Sequence, residues 1–409
     1  MSNAPDKPSK SEARPRHLHG ADLHGIGRLG LHAVDEVLAL VESLHARLMG
    51  SATGPVSGLA YRRARAASAW VGRLVDDCLA PRPGAAHPQP SSAEREAVLA
   101  ALNGVIGDFL ASSGNTLAIP MRLRRHGRPL RIERAALAGT IPHPGGKLLI
   151  LAHGLCRCDL QWRRNHHDHG EALARDLGYV PLYLHYNSGQ HVSANGRELS
   201  RLLDSLVREW PVPVEEVAIL AHSMGGLVAR SACHYGRQSH HAWLPLLRHM
   251  VFLGTPHHGA PLERTGNWLT VTLGRNRFTA PFARLGQLRS AGITDLRYGN
   301  LLDEDWEGCD RFEHAGDRRR RVPLPRGVRC YVIAGSTGRR LGDMRDRLLG
   351  DGVIPLDTAL GRHPDPALTL GFPESRTWIG FGIHHLDLLS RVEVYRRIRA
   401  WLGGEPDRG

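Results

Sequence analysis

Val217-Ala218-Ile219-Leu220-Ala221-His222-Ser223-Met224-Gly225-Gly226 is the stretch on which the fold turns. Its first four residues form an apolar run of strand length, and Leu227-Val228-Ala229-Arg230-Ser231-Ala232 follows as a helical run. Between them stands a serine with small residues two places before and two places after it. A serine hydroxyl is a weak nucleophile until a base takes its proton, so a tight strand-to-helix turn that lifts it clear of a sheet is a chemical device. Gly225 matches the second glycine of G-x-S-x-G, while Ala221 stands where the first is usual. Gly226 and Ala229 let the helix lie close to the sheet. The pentapeptide alone recurs by chance, and an ordinary strand-to-helix turn is the plainer reading, so the rest of the chain has to decide.

It supplies partners in a consistent order: serine, aspartate, histidine. Upstream, Leu148-Leu149-Ile150-Leu151-Ala152 reads as a short buried strand running into His153-Gly154-Leu155, where a glycine lets backbone amides turn toward an ester oxygen. The amides of Leu155 and Met224 are the expected oxyanion donors; losing one such donor typically costs about 10²–10³ in turnover. The strand predicted over Val328–Gly335 is followed by Asp343, Asp346 and Asp351. Asp343 and Asp346 alternate with Arg345 and Arg347 as on a solvated face, whereas Asp351 heads Asp351-Gly352-Val353-Ile354-Pro355, a turn able to aim a carboxylate over the sheet edge. Asp351 is therefore the preferred acid. A last strand, Arg376–Phe381, precedes His384 and His385 and then a helix predicted from near Leu386, with Leu388, Val392, Tyr395, Ile398 and Leu402 on its apolar face. Either histidine can serve as base, and His385, at the helix entry, is preferred. Asp387 reads as a residue of that helix's N-terminus. His153, Gly154, His222, Tyr186 and His257, beside the nucleophile or in neighbouring loops, are expected to line the substrate pocket.

The run Leu253-Gly254-Thr255-Pro256-His257-His258-Gly259-Ala260, together with Ala221–Gly226 and Gly352-Val353-Ile354-Pro355, resembles bacterial lipases and the related glycosylphosphatidylinositol inositol-deacylase-like esterases of the α/β-hydrolase superfamily. The resemblance spans residues 147 to 402. It implies an α/β-hydrolase fold with a mostly parallel central sheet and helices on both faces, Ser223 as nucleophile, Asp351 as acid, His385 as base, and Leu155 with Met224 as the oxyanion pair. It implies a serine carboxylic-ester hydrolase acting on an ester or lipid substrate with no cofactor. Acyl transfer or thioester hydrolysis on the same fold is the nearby alternative, and a non-catalytic lipid-binding or scaffold protein is the alternative of a different class.

Composition agrees. The chain has 409 residues and a formal net charge of +13, and its only lysines are Lys7, Lys10 and Lys147, so the positive charge is arginine. Aromatics are sparse, at 6%, and no nucleic-acid-binding signature is present, which argues against nucleic acid as a partner. Arg318-Arg319-Arg320-Arg321 reads as an exposed loop, and peripheral contact with acidic lipid headgroups is the milder use of the charge. The six cysteines, Cys78, Cys156, Cys158, Cys233, Cys309 and Cys330, are scattered and read as free thiols. With no apolar region near the start and no apolar run approaching roughly 18 residues, the expected location is cytoplasmic, with peripheral contact at the inner face of a membrane as the variant. The histidine cluster His166-His167-Asp168-His169 matches no metal-ligand template, so no metal is expected.

Along the chain, residues 1–20 read as a disordered tail and 21–114 as an N-terminal helical region. Val34, Val37, Leu38, Val41, Leu44 and Leu48 define an amphipathic helix, better read as packed on the protein than as a membrane arm because Glu36 and Glu42 occupy its polar face. A second helix is predicted over Tyr61–Leu79, a proline-rich linker over 81–90, and a third helix through Leu110 opened by a Ser91/Glu94 capping box. A hairpin around His126-Gly127 then begins a catalytic domain of residues 115–409. A lid-like insertion spans about 256–326, long for a connection. Trp268, Phe278 and Phe282 offer apolar surface there, and a lid and a stabilising helical excursion are equally good readings.

Overall fold

The computed structural model of the chain describes residues 19, 21–32, 66, 67, 69–71, 73, 91–260, 289–310, 316–338 and 350–404. The amphipathic helix read over Val34–Leu48, most of the second helix, Asp343, Asp346 and the apolar centre of the insertion lie outside the described residues.

Two compact units are distinguished. The first comprises residues 1–96 with 115–117. Within it, residues 21–32 are helical. Asp22 there accepts from Arg95, and Asn115 Nδ2 donates to the Gly25 carbonyl. Burial raises and the Arg95 guanidinium lowers the Asp22 pKa, and the net shift is downward.

The second unit, residues 97–114 and 118–409, is built on an eight-stranded sheet. Its strands are β1 (Arg122–Arg125), β2 (Arg128–Pro129), β3 (Lys147–Ala152), β4 (Val180–His185), β5 (Glu216–His222), β6 (Leu247–Leu253), β7 (Arg329–Ser336) and β8 (Thr377–Phe381), in the order β2-β1-β4-β3-β5-β6-β7-β8. β1 pairs antiparallel with β2 and β4, as the hairpin around His126-Gly127 foretold, and every pairing from β4 to β8 is parallel. Parallel strands covered on both faces read as continuous apolar runs, which is why β3 and β5 stand out in the sequence.

The side chains of these strands alternate between two cores. Leu148, Ile150, Val217, Ile219 and Ala221 face one core, and Leu149, Leu151, Ala218 and Leu220 face the other. The first is covered by α1 (Ala93–Ser112), α4 (Val192–Glu209) and α5 (Met224–Gln238), the second by α3 (His169–Leu177) and α8 (Val392–Gly403). Between β2 and β3 runs the short α2 (Arg134–Thr140); α6 (Ala291–Asp295) and α7 (Leu356–Ala359) lie in later connections.

Two local expectations shift. α1 is opened by Ser92, whose Oγ accepts from Arg95 N at 3.2 Å. The final helix begins at Val392, because residues Asp387–Leu389 form a 3₁₀ turn first. That moves its buried face to Val394, Tyr395, Ile398, Trp401 and Leu402 and leaves Val392 53% exposed. No helix among the described residues is long and apolar enough to cross a membrane.

Candidate active site

Strand β5 ends at His222, and Ser223 turns the chain at φ 54°, ψ −128°, a conformation few L-residues adopt. Such a turn stores roughly 1–3 kcal/mol and has to be held by its surroundings. Ser223 N donates to Leu253 O at 2.8 Å, and Gly226 N donates back to Ser223 O at 3.0 Å. The glycines explain themselves by contact. A Cβ on Gly225 would stand 2.5 Å from Ala152 O, and one on Gly226 would stand 2.1 Å from Thr255 Oγ1. Ala221, by contrast, sits in regular pairing between β3 and β6, where a methyl is accommodated.

The loop after β3 passes directly against the serine. A Cβ on Gly154 would lie 2.9 Å from Ser223 Cβ and 3.4 Å from Oγ, so the backbone leading to Leu155 approaches the hydroxyl as closely as glycine permits. That loop is held from behind. Cys156 N donates to Ser188 Oγ at 3.0 Å, Tyr186 O–H donates to His153 O at 2.8 Å, and the His153 ring stacks on Tyr186 at 4.3 Å. His153 Nδ1 donates to Gly154 O, and burial pushes its pKa down to about 3, so this ring packs and does not titrate at neutral pH.

The acid and base candidates meet across the ends of β7 and β8. Asp351 Oδ2 lies 2.6 Å from His385 Nδ1. Its other oxygen accepts from Val353 N and Ile354 N, and His385 N donates to Asp351 O, so the turn fixes both groups at once. Both side chains are buried, whereas the adjacent His384 is exposed. Two bare glycines make the space. A Cβ on Gly335 would stand 2.9 Å from Asp351 Cβ, and one on Gly254 would stand 3.0 Å from both Asp351 Oδ2 and His385 Nδ1.

His222 connects this pair to the elbow. Its Nε2 donates to His385 O at 3.1 Å, and the two rings stand 4.6 Å apart. Burial and the neighbouring His385 hold the His222 pKa well below the usual range. Ser223 Oγ makes no hydrogen bond among the described residues. His222, Tyr186 and His153, expected along the substrate pocket, are buried and hydrogen-bonded to the loops that surround the serine. His257 is buried between Phe252 and Phe372 and faces Arg230, away from an open rim. In the upstream histidine cluster, His169 Nε2 donates to Leu388 O and Nδ1 accepts from His167, so both nitrogens are spoken for. Sequence reasoning gave Gly254, Gly335 and Ser188 no individual role; a glycine directly after a strand is the available signal for the first.

The sheet order and the strand-to-helix turn at Ser223 are those of the α/β-hydrolase fold. Residues 145–316 match the family model described as the PGAP1-like alpha/beta domain. Among solved structures, the mature form of Bacillus licheniformis lipase BlEst2 is similar at 16% identity over 66% of this chain and 95% of that one, with a TM-score of 0.41. The Pyrococcus furiosus esterase Pf2001 is similar at 12% identity over 64% and 80%, with a TM-score of 0.38. Legionella pneumophila phospholipase PlaB, solved with thio-NAD, is similar at 17% identity over 52% and 44%, with a TM-score of 0.34. No curated protein sequence matches the chain.

Proposed function

We propose that the chain is a serine carboxylic-ester hydrolase of lipase or esterase type, working through an acyl-enzyme on Ser223. The observation that carries this reading is the 2.6 Å contact between buried Asp351 and His385 beside an elbow serine. Asp351 accepts the Nδ1 proton and so leaves Nε2 as the basic nitrogen of His385. Nε2 takes the Ser223 proton as Oγ attacks the ester carbonyl, and the amides of Leu155 and Met224 receive the developing oxyanion. The protonated ring then gives its proton to the departing alcohol. Water, activated by the same nitrogen, attacks the acyl group, releases the acid and restores the serine. Ester and water balance this reaction without a cofactor. Catalytic hydrogen bonds are commonly longer before substrate arrives, and this reading has Ser223 Oγ turn toward His385 Nε2 as the ester binds.

For the substrate we infer an ester or lipid, and the arginine excess favours one offered at an anionic interface. The described cysteines are free thiols, which fits a reducing compartment. Fluorophosphonate labelling tests the reading directly: the unaltered chain should label at Ser223 and hydrolyse a short-chain nitrophenyl ester. Ser223→Ala should lose labelling and roughly six decades of turnover. Hydrolysis retained by that variant overturns the proposal.

A further inference from the structure

Two L-residues beside the candidate active site hold left-handed backbone angles: Ser223 at the elbow, φ 54°, and Cys156 in the loop after β3, φ 58°. A side chain makes that conformation unfavourable, so it persists only where the surroundings impose it. For Ser223 the strain lifts a hydroxyl clear of the sheet. Cys156 has no such use for its side chain: the thiol is buried, and burial pushes its pKa up to about 12, so it stays protonated at neutral pH. What the conformation shapes is the backbone. It turns the chain directly after Leu155, whose amide is one of the two oxyanion donors in the reaction proposed above.

Ser188 holds that turn. It lies in the loop after β4, is 1% exposed, and its Oγ accepts from Cys156 N at 3.0 Å. The loop around it is gripped from two directions. Toward α1, a Cβ on Gly189 would stand 2.0 Å from Asn103 O. On another side is α6, which belongs to the long insertion. Gly292 N donates to Gly189 O at 3.0 Å, and a Cβ on Gly292 would stand 2.1 Å from Ser188 O and 3.1 Å from Met224 Cε. Helix α6 thus packs against Ser188 and against Met224, the residue expected to give the second oxyanion amide. It is itself tied down, since Ser290 Oγ donates to Gly104 O at 2.7 Å and Asp295 Oδ2 accepts from Val192 N at the start of α4 at 2.8 Å.

We propose that Ser188 is a positioning residue: its hydroxyl, pressed into place by Gly292 of α6, keeps Cys156 left-handed and so aims the Leu155 amide at the developing oxyanion. This rests on the ester-hydrolase reading and adds to it that the insertion helps to set the oxyanion donors. The physical reason is directional. A backbone N–H stabilises the tetrahedral intermediate only when it already points at the place where charge appears. Without the Ser188 acceptor, the Cys156 N–H loses its partner, the left-handed turn has less to hold it, and the preceding amide drifts. The ester itself, with an uncharged carbonyl, gains little from that amide, so the effect belongs to kcat and not to KM.

The test uses the full chain carrying Ser188→Thr, which keeps the hydroxyl, or Ser188→Val, which keeps the shape of threonine without it. On a short-chain nitrophenyl ester, Ser188→Val should fall roughly 10²-fold below Ser188→Thr in kcat, with KM changed by less than about threefold. A trifluoromethyl ketone, whose adduct with Ser223 presents an oxyanion to the same amides, should bind more weakly by a similar factor. Gly292→Ala, which displaces Ser188 and leaves its hydroxyl intact, should show the same parallel loss, and it decides the matter should the valine variant fail to fold. Equal kcat for the threonine and valine variants, a loss of kcat that the ketone does not share, or an unaltered kcat in Gly292→Ala would each overturn the inference while the unaltered chain remains an active esterase. An unaltered chain that neither hydrolyses the ester nor labels at Ser223 overturns the ester-hydrolase reading, and this inference with it.

Discussion

Gly254 and His385 share a space that only a hydrogen atom can fill: a Cβ on the glycine would lie 3.0 Å from the imidazole Nδ1 and 3.0 Å from the carboxylate it meets. The glycine also sits at φ +55°, so both its backbone and its missing side chain serve the Asp351–His385 pair.

Gly254→Ala should therefore act on catalysis more than on binding. The added methyl separates imidazole from carboxylate, and kcat for a soluble ester should fall by roughly 10²-fold or more with KM changed little. The same substitution should cost about 1–3 kcal/mol of stability from the backbone conformation. Steady-state kinetics with a denaturant titration checks both, and an alanine variant of unaltered kcat contradicts the geometric argument.

Ser223→Gly should abolish turnover and yet stabilise the fold. Glycine adopts the elbow conformation without the steric penalty a side chain meets, and after its own entropic cost the gain should be about 1 kcal/mol. Ser223→Ala, which keeps a Cβ at the same backbone angles, should not show it. Comparing the denaturation midpoints of the two variants is the measurement, and equal midpoints would remove the case for strain at the elbow.

His222→Phe keeps a ring against His385 but leaves the His385 carbonyl without its donor. Losing that bond should cost about 1–3 kcal/mol. It should also loosen the imidazole, so that fluorophosphonate labelling of Ser223 slows by roughly tenfold or more while the fold survives. Labelling at the unaltered rate would show that His222 positions nothing.

Acid should unfold the chain through its buried histidines. His153 and His169 have pKa values lowered from 6.5 to about 3 and about 4, in each case mainly by burial. The unfolded chain binds their protons first, so their contribution is fully present above pH 6.5 and is lost as pH falls toward the folded values. The Tm should decline steadily from pH 6.5 to 4, and His169→Gln, which does not titrate, should flatten that decline. A variant with an unchanged slope would exclude His169 as a contributor.

Much of the frame was legible because it is written in local pattern. The apolar runs at Leu148–Ala152 and Val217–Leu220 identify central strands, and the small residues around Ser223 identify the turn between strand and helix. The sequence favours His385 over His384 by its place near the helix entry, but the contact that sets the two apart lies in the third dimension: neighbours in a loop point to different sides, and only His385 meets the carboxylate of Asp351. His257 reads in the sequence as a loop residue of the substrate pocket, whereas it packs in the core against Phe252 and Phe372 with Arg230 at its Nδ1. The roles of Gly254 and His222 were hidden for a related reason. Each acts on His385, more than 130 positions away, and no periodicity records a contact of that range.

The loop after β3 also leans on a helix that a minimal reading of the domain would discard. On α1, a Cβ at Gly104 would stand 2.1 Å from Cys156 Sγ, and one at Gly107 would stand 1.9 Å from Asn187 Oδ1, while Asn187 Nδ2 donates to Gly107 O. Residues 97–114 are thus a buttress for the loops beneath Ser223, although they precede the first strand. An expression fragment started at residue 115 would keep every element of the sheet and strip the wall from behind its own reactive corner.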